Sequence, residues 1–339
     1  MELLCVGDLH LTASDGTGGL SKYIEDPDQF VVSEVDKVLA YGRSKGLNKI
    51  IFPGDIFDGP RGSYPGMLAL SGLFSSNPDF TFYLMTGNHD LYGLTPDTGH
   101  SLQILQNFKQ PNVRYFTRPK SITVDGVDVR FLPYPSTNFD PNALNIFHNE
   151  VYGSKGDSGR LATDESLSKS KAVAIGGHLH TAHRIRNTHY CGTLYQTNFG
   201  ESLPKYFHHI EFNSAQDFNI TLVNHEPKYK LHNIVLEHRE DLKLIPHSKF
   251  DLVKLVIQDG ADVGPSDWAS LTNIAIIKNY KSKSDLALVL TEDLSECKEL
   301  IIKTEDFFQT WVRGLDVDVE TRKHVCQVRR RVLNNAKES

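Results

Sequence analysis

The sequence predicts an α/β fold with its functional loops at the carboxyl ends of the strands. Short apolar segments of strand-like composition alternate with segments whose apolar residues recur at helical spacing. The apolar strands of the first half run directly into short polar segments that contain Asp, Asn or His. Because open α/β sheets bind ligands outside the carboxyl ends of their strands, these polar segments mark the expected site.

The first half of the chain has a βαβαβ order. Strands are predicted at residues 3–7, 48–53 and 80–85, and helices at residues 30–43 and 66–75. Residues 11–29, rich in Gly, Ser, Asp and Thr, are predicted to form a loop. This alternation favours parallel strands connected by helices.

After residue 110 the pattern changes to short strands separated by turns. Strands are predicted at residues 112–115, 121–124, 127–132 and 172–177, with further short strands over residues 185–223. We expect this part to be antiparallel β, with a loop over residues 154–170.

A domain boundary is predicted near residue 225, where His225-Glu226-Pro227 follows the last of these strands. The predicted domains are residues 1–225, a small α/β domain over residues 226–298 and a helical segment over residues 299–339. Strands are expected at residues 230–236 and 252–257, and a helix is expected from Ser284.

Composition and charge limit the classes of protein that remain possible. With 36 basic and 42 acidic residues among 339, the net charge is −6, so the whole chain supplies no general attraction to nucleic acid. The four cysteines form no CxxC pair, which argues against a disulfide framework or a cysteine zinc site. No secretory signal precedes the first strand, and no apolar run reaches the ~18 residues of a membrane helix. We therefore expect a soluble protein of the cytoplasm, the host cytoplasm if the source is viral.

Five short segments place metal-competent side chains beside apolar segments, and in four of them a glycine precedes the ligand. They are Gly7-Asp8-Leu9-His10, Gly54-Asp55, Gly87-Asn88-His89-Asp90, Phe147-His148-Asn149-Glu150 and Gly177-His178-Leu179-His180. Glycine allows a sharp turn and a close approach to an ion. Each segment alone is a weak signal, and several are plausible turn sequences. Their conjunction in one chain predicts a metal site.

The predicted ligands are oxygen and nitrogen atoms without any thiolate. This set favours Mn, Fe, Mg or Zn over soft metals. Asp55 is the natural candidate for a carboxylate that bridges two ions. Two ions ~3.5–4 Å apart can activate a hydroxide and clamp a phosphate during in-line attack.

The motifs D-L-H at 8–10, G-D-I-F-D at 54–58, G-N-H-D at 87–90 and G-H-L-H at 177–180 occur in this order. In this respect the chain resembles the calcineurin-like metallophosphoesterase superfamily, and within it the SbcD-type DNA repair nucleases and their bacteriophage recombination counterparts. The resemblance covers residues 1 to about 205. It implies a four-layer α/β/β/α sandwich of two mixed sheets, followed by a small C-terminal capping domain and C-terminal helices.

The resemblance also implies a role for individual residues. The implied ligands of one ion are Asp8, His10, Asp55 and His180, and those of the second are Asp55, Asn88, His148 and His178. His148 departs from the family pattern, because Phe147 stands where glycine is usual. His89 matches a non-ligand histidine that would protonate the leaving 3′-oxygen or orient the phosphate. Asp90 would hold the His89 ring or cap a turn.

Other polar and aromatic residues near the motifs are candidates for weaker roles. Arg61, Tyr64 and Arg184 are predicted to contact the phosphates of DNA, although solvated surface positions explain them equally well. His183 and His189 compete for the ligand positions but are assigned outside the ligand set. Tyr195 and Gln196 resemble a family loop near the metals and are assigned only a packing role.

In the C-terminal segment, Phe307, Phe308 and Trp311 lie on one apolar face of a predicted helix. Such a face packs on its own domain or docks on a partner. The resemblance favours docking, because SbcD-type nucleases bind an SMC-like ATPase of the SbcC type. A basic cluster at Arg329, Arg330 and Arg331 is an alternative contact for DNA.

Taken together, the resemblance implies a DNA nuclease with two divalent ions, Mn before Mg, Fe or Zn. The expected activities are exonuclease on double-stranded ends and endonuclease on single strands. The expected assembly is a nuclease dimer within an SbcCD-like complex for recombination, repair or replication. One alternative is a metallophosphatase or cyclic phosphodiesterase of the same fold, which would share every metal ligand. Another is a non-catalytic scaffold, although such proteins usually lose ligands.

Overall fold

The computed structural model describes residues 1–12, 20, 23–93, 96–156, 160–164, 166–268 and 270–280. Within these ranges the chain forms three sheets and three α-helices. The helices are α1 (Pro27–Ser44), α2 (Tyr64–Ser76) and α3 (Leu102–Asn107), with short 3-10 segments at Pro96–Thr98, Arg239–Leu244 and Pro265–Asp267.

The first four strands alternate with the three helices, and the strands are numbered in chain order. They are β1 (Glu2–Cys5), β2 (Lys49–Phe52), β3 (Thr81–Met85), β4 (Val113–Phe116), β5 (Lys120–Val124), β6 (Val127–Leu132), β7 (Leu144–His148), β8 (Ala174–Gly177), β9 (His183–Ile185), β10 (Thr188–Tyr190), β11 (Lys205–Ser214), β12 (Asp217–His225), β13 (Lys230–Leu236), β14 (Asp251–Gln258) and β15 (Ile274–Tyr280).

The first sheet has the strand order β12-β11-β1-β2-β3-β4. Strands β1 to β4 are parallel, and β11 and β12 extend the sheet as an antiparallel pair. The three helices cover one face of this sheet, with Val35 of α1, Leu70 of α2 and Leu105 of α3 in the same core. Helices α1 and α2 begin after N-cap residues, because the side chains of Asp26 and Ser63 accept hydrogen bonds from backbone N–H groups in the first turns.

The second sheet has the order β5-β6-β7-β8-β10-β9 and is also mixed. The two mixed sheets that the sequence analysis expected are therefore confirmed. The expectation of an antiparallel second half is wrong, because β6, β7, β8 and β10 run parallel. Strand β7 was not predicted. Strand β4, which was predicted as part of the antiparallel half, belongs instead to the parallel part of the first sheet. In the residues that the structure describes, the long connections between the parallel strands contain turns rather than helices, so local sequence did not reveal the crossovers.

A core of apolar side chains joins the two sheets. Cys5 and Tyr83 of the first sheet pack there with Phe131, Ile146 and Ile175 of the second. Because the two sheets are packed through this layer, the carboxyl ends of β1, β2, β3, β7 and β8 are held at one edge of the sandwich. In the described ranges, segments without regular structure cover the outer face of the second sheet.

The third sheet, β13-β14-β15, is parallel and lies in the region that the sequence assigned to a small α/β domain. Both predicted strands of that region are present. The helix expected from Ser284 and the predicted partner-binding residues, Phe307, Phe308 and Trp311, lie outside the described residues. No helix in the described part of the chain is long and apolar enough to cross a membrane.

A buried carboxylate, Glu34 of α1, joins the first sheet to the segment that leads into β13. Glu34 Oε2 lies 2.7 Å from His225 Nε2, and Lys37 Nζ donates to the same oxygen at 2.8 Å. The backbone N–H of Lys228 donates to Oε1 at 3.0 Å. Burial alone would raise the pKa of Glu34, but the hydrogen bonds from His225, Lys37 and Lys228 lower it below its ordinary value.

We expect Glu34→Gln to lower the free energy of unfolding by about 2 kcal/mol at pH 7, because a charged acceptor of hydrogen bonds is lost. The folded-state pKa of Glu34 is lowered, so its stabilisation is present above the unfolded pKa and lost as the pH falls through the folded pKa. The difference between variant and wild type should therefore shrink in acid. Urea unfolding at several pH values measures it.

Glu226→Gln is the matched control, because Glu226 is exposed and pairs only with surface groups. We expect it to change stability by less than about 0.5 kcal/mol. An unchanged stability of Glu34→Gln at pH 7 would contradict the assigned role of Glu34.

Candidate metal centre

The loops after β1 and β8 meet at a cluster of two histidines and a carboxylate, which we call site A: Asp8, His10 and His180. His10 Nε2 and His180 Nε2 are 3.0 Å apart, and Asp8 Oδ2 lies 3.8 Å from His180 Nε2. In each ring Nδ1 faces a carboxylate, Asp58 at 3.0 Å and Glu201 at 2.9 Å. A neutral ring that donates from Nδ1 carries a lone pair on Nε2. Two facing lone pairs suit a shared cation, so the donors of site A fit a metal ion.

The loops after β2 and β3 meet β7 and β8 at a second cluster, which we call site B: Asp55, Asn88, His148 and His178. His148 Nδ1 donates to the carbonyl oxygen of Pro53 at 2.8 Å, which leaves the lone pair on Nε2. That nitrogen lies 3.0 Å from Asn88 Oδ1 and 3.2 Å from Asp55 Oδ2. Three acceptor atoms converge here, an arrangement that a cation would satisfy.

Asp55 is a member of site B that also faces site A. Its Oδ2 is 3.2 Å from His148 Nε2 of site B and 4.0 Å from His10 Nε2 of site A. Its Oδ1 accepts a hydrogen bond from the backbone N–H of His89 at 2.9 Å. One carboxylate can therefore face two ions at once. The seven residues that the sequence predicted as ligands all lie in site A or site B, and the two clusters are compatible with a dinuclear metal site.

The pKa values of the two buried carboxylates, Asp8 and Asp55, shift in opposite directions. Burial raises the pKa of Asp8, against the attraction of His148, while the nearby charge of Asp55 adds to the increase. Burial also acts to raise the pKa of Asp55, but a protonated His148 ring outweighs this effect through its charge and its hydrogen bond, so the pKa of Asp55 is lowered. A cation at site B would replace the proton on His148 Nε2. Burial lowers the pKa of His178 to about 3, so its ring is neutral and can act as a ligand.

The backbone around the ligands adopts conformations that side chains rarely accept. His10, Asp55 and His178 have φ values of 45°, 47° and 83°, in the left-handed region. Such conformations cost free energy and persist only where surrounding contacts fix them. Here the N–H groups of Leu9 and His10 both donate to the carbonyl oxygen of Asp55 at 3.0 Å.

Two glycines permit the close approach of the loops. A Cβ atom at Gly87 would lie 2.2 Å from Asp55 Oδ1 and 2.7 Å from His148 Cε1. A Cβ atom at Gly177 would lie 2.5 Å from Asp8 Oδ1. Neither position can hold a side chain without moving a predicted ligand.

His89 lies at the edge of site A and remains partly open to solvent. Its Nδ1 is 3.3 Å from Asp58 Oδ1, and its side chain is 43% exposed. Burial acts to lower the pKa of His89, but the hydrogen bond with Asp58 and the charges of Asp55 and Asp58 raise it to about 9. Nε2 is therefore the ring atom left to meet a substrate.

Asp90 does not contact the His89 ring in this structure. Its carboxylate accepts hydrogen bonds from the backbone N–H groups of Ile56, Phe57 and Gly87 at 3.1, 3.1 and 2.9 Å. Ser101 Oγ donates to it at 2.6 Å. Of the two roles that the sequence left open, these contacts match the turn-capping one. Asp90 fixes the loop of Asp55 against the loop of Asn88, and Asp58 takes the place beside His89.

Sequence reasoning missed three features of the centre. Asp58 and Glu201, which lie behind His10 and His180, received no role. Asp58 belongs to the G-D-I-F-D motif and could have been noticed there, whereas Glu201 lies 21 positions from His180 without any local signal. His148 was expected at a turn but is the last residue of β7.

The remaining predicted residues lie outside the two clusters. Arg61 stacks over the ring of Tyr92 at 5.9 Å, and Tyr64 is the first, exposed residue of α2. Arg184 lies on β9 and donates to the carbonyl oxygen of Arg186. His183 stacks on Tyr190, and its Nδ1 donates to the carbonyl oxygen of Thr181.

His189 also lies outside site A and site B. His189 is buried beside His208, with ring centroids 6.0 Å apart. Neither His183 nor His189 belongs to a metal cluster of the described residues.

Two mixed sheets that bring His, Asp and Asn side chains together at their shared edge fit the class of metal-dependent phosphoesterases. The sequence model of the calcineurin-like phosphoesterase family matches residues 1–182, more than half of the chain. The chain therefore belongs to the calcineurin-like phosphoesterase family.

One curated relative carries a more specific name. Over 218 residues the chain is 24% identical to exonuclease subunit 1 of Enterobacteria phage T4. The match covers 59% of this chain and 61% of that protein, so the chain spans less than two thirds of the relative's length.

We expect Gly87→Ala to reduce the metal content of the protein, because the new methyl group displaces the Asp55 carboxylate. The overpacking should also lower the free energy of unfolding by about 1–3 kcal/mol. Elemental analysis after equilibration with Mn²⁺ measures the metal content, and chemical denaturation measures the stability.

Gly72→Ala is the control, because a Cβ atom there meets nothing within 4 Å and the residue lies within α2. It should leave the metal content unchanged and increase stability by up to about 1 kcal/mol. If Gly87→Ala binds as much Mn²⁺ as wild type, the tight packing around Asp55 does not control metal binding.

Proposed function

We propose that this protein is a two-metal nuclease that hydrolyses phosphodiester bonds of DNA. The position of Asp55 Oδ2 between His10 Nε2 and His148 Nε2 is the observation that carries the proposal. Site A would hold one divalent ion and site B the other, with Asp55 common to both. The oxygen and nitrogen donors fit Mn²⁺, with Mg²⁺, Fe²⁺ and Zn²⁺ as alternatives.

When bound, a pair of divalent ions lowers the pKa of a water molecule and neutralises the charge of a phosphate. The residues of the chain supply the rest. Asp58, Glu201 and the carbonyl oxygen of Pro53 fix the rings of His10, His180 and His148 through Nδ1. The ligands are thus oriented before a substrate arrives, which reduces the reorganisation needed in the transition state.

His89 is proposed as the general acid or phosphate-orienting group. Asp58 holds its Nδ1, so Nε2 is directed away from that carboxylate and is available to the leaving oxygen. The partial exposure of the side chain allows a phosphate to reach it. Proton donation by a positioned side chain typically contributes 10²–10⁴-fold to a rate.

DNA is proposed as the substrate because the phage relative is named an exonuclease subunit and because aromatic residues lie near the loops of the centre. Tyr92 is half exposed and stacks with Arg61, and the Tyr134 ring lies 6.5 Å from the His178 ring. Arginine binds phosphates, and aromatic rings stack on unpaired bases. We propose exonuclease activity on double-stranded ends and endonuclease activity on single strands.

We expect His89→Ala to retain both metal ions and to lower kcat on linear duplex DNA by about 10²–10⁴-fold. The ligands of both sites are unchanged in this variant, so metal content and cleavage should separate. Cleavage with and without Mn²⁺ measures activity, and elemental analysis measures metal content. Full activity in the variant would exclude His89 from the reaction.

The same assay distinguishes the nuclease from the alternative activities of the fold. Wild type should cleave linear duplex DNA faster than a small phosphate monoester under Mn²⁺. Faster hydrolysis of the monoester would favour a phosphatase, and faster hydrolysis of a cyclic nucleotide would favour a cyclic phosphodiesterase. If wild type retains no metal and gains no activity from Mn²⁺, a scaffold role replaces the enzyme.

We further propose that the protein acts as a homodimeric nuclease subunit with an SMC-like ATPase of the SbcC type. The named subunit role of the phage relative supports a partner, and the apolar residues Phe307, Phe308 and Trp311 in the sequence are the proposed contact. A chain truncated after residue 298 should lose co-purification with the ATPase while keeping its metal ions. Continued binding would exclude the C-terminal segment as the contact.

A further inference from the structure

The segment between β10 and β11, residues 191–204, contacts the two loops of site A at two separate points, one on the backbone and one on a side chain. Tyr195 Oη donates to the carbonyl oxygen of Leu9 at 2.5 Å, and Leu9 lies between Asp8 and His10. Glu201 Oε1 accepts from His180 Nδ1 at 2.9 Å. The sequence suggested only packing for Tyr195 and Gln196, but the contacts of this segment reach the His180 ring and the backbone between Asp8 and His10.

Glu201 is a buried carboxylate whose position is fixed by several donors. Its side chain is completely buried, and Lys205 Nζ donates to Oε2 at 2.5 Å. The hydroxyl of Thr197 and Nδ2 of Asn198, the latter at 3.2 Å, donate to Oε1. A buried carboxylate with this many partners has one favourable position. The His180 ring that donates to it is therefore held in one orientation.

Gln196 anchors the backbone of Glu201 from the opposite side. Its Nε2 donates to the carbonyl oxygens of Glu201 and Leu231, at 2.8 and 3.0 Å. Its Oε1 accepts from the N–H of Leu231 at 2.9 Å. Because Leu231 belongs to β13, the third sheet supports the segment that carries Glu201.

We propose that Glu201 is a positioning residue for His180 and increases the affinity of site A for a divalent cation. This inference rests on the proposed two-metal function. A carboxylate behind a ligating imidazole fixes the tautomer and the ring direction and makes the ligating nitrogen a better donor. Loss of such a group typically lowers metal affinity by about 10–100-fold.

The chain offers a matched control in Glu34. Both glutamates are completely buried, and each contacts one histidine and one lysine: His180 and Lys205 for Glu201, and His225 and Lys37 for Glu34. In the described part of the chain, the hydrogen bonds of Glu34 join it to Lys37, His225 and Lys228, and none involves a residue of site A or site B. Glu34→Gln therefore removes the same kind of buried charge without touching a ligand.

The test is Mn²⁺ titration of the full-length chain after removal of bound metal by a chelator, followed by electron paramagnetic resonance of free Mn²⁺. Wild type and Glu34→Gln should each bind two equivalents with the same affinities. Glu201→Gln should bind one equivalent with wild-type affinity and the second about 10–100-fold more weakly. Two equivalents at wild-type affinity in Glu201→Gln would overturn the inference.

Other outcomes remain decisive. If wild type does not bind two Mn²⁺ ions, the proposed two-metal function fails and the inference fails with it. If circular dichroism shows that Glu201→Gln is unfolded, Thr197→Val decides instead, because it keeps the glutamate and removes the hydroxyl that donates to Oε1 and lies 3.4 Å from His180 Nδ1. It should weaken the second equivalent about 2–10-fold. Unchanged affinity in a folded Thr197→Val would then overturn the inference.

Discussion

The arrangement of the centre depends on two buried carboxylates of like charge, Asp8 and Asp55, that approach the same group of histidines. Burying two such charges together is unfavourable unless each has compensating partners. Asp8 accepts hydrogen bonds from the backbone N–H of His178 at 2.8 and 3.1 Å. Asp55 accepts one from the N–H of His89 and faces His148. These partners come from the loops after β3 and β8 and from the last residue of β7, so the carboxylates bring four loops and one strand end to one place.

This convergence explains the unusual backbone of the loops. Three predicted ligands adopt left-handed φ values, and Gly87 and Gly177 provide space that no other residue would leave. Asp90 holds two of these loops together, because its carboxylate accepts hydrogen bonds from Ile56 and Phe57 of the Asp55 loop and from Gly87 of its own loop. Burial and the charge of Asp55 raise the pKa of Asp90 to about 6. The sheets beneath supply the rigid support, because their strands end directly at the loops.

A second layer of groups controls how the ligands face the centre. Asp58, Glu201 and the carbonyl oxygen of Pro53 each accept a hydrogen bond from Nδ1 of a different histidine. Each leaves Nε2 as the atom that points toward a cation. The side of the centre open to solvent is different in character, with His89, Tyr92 and Arg61 exposed or partly exposed. Buried groups thus determine the orientation of the predicted ligands, and exposed side chains are the ones available to contact a substrate.

The sequence predicted β1, β2, β3, α1 and α2 but not α3, and it named the seven residues that the structure brings together in sites A and B. Apolar periodicity is local, and the ligand residues directly follow apolar runs, so both could be predicted without knowing any partner. The direction of β6, β7, β8 and β10, the position of His148 at a strand end and the role of Asp90 were decided only by the tertiary structure. The contact between Glu201 and His180 was also decided only by the tertiary structure. Each of these features depends on residues that are far apart in the sequence and close together in space. Local propensity carries no information about which distant residues will come into contact.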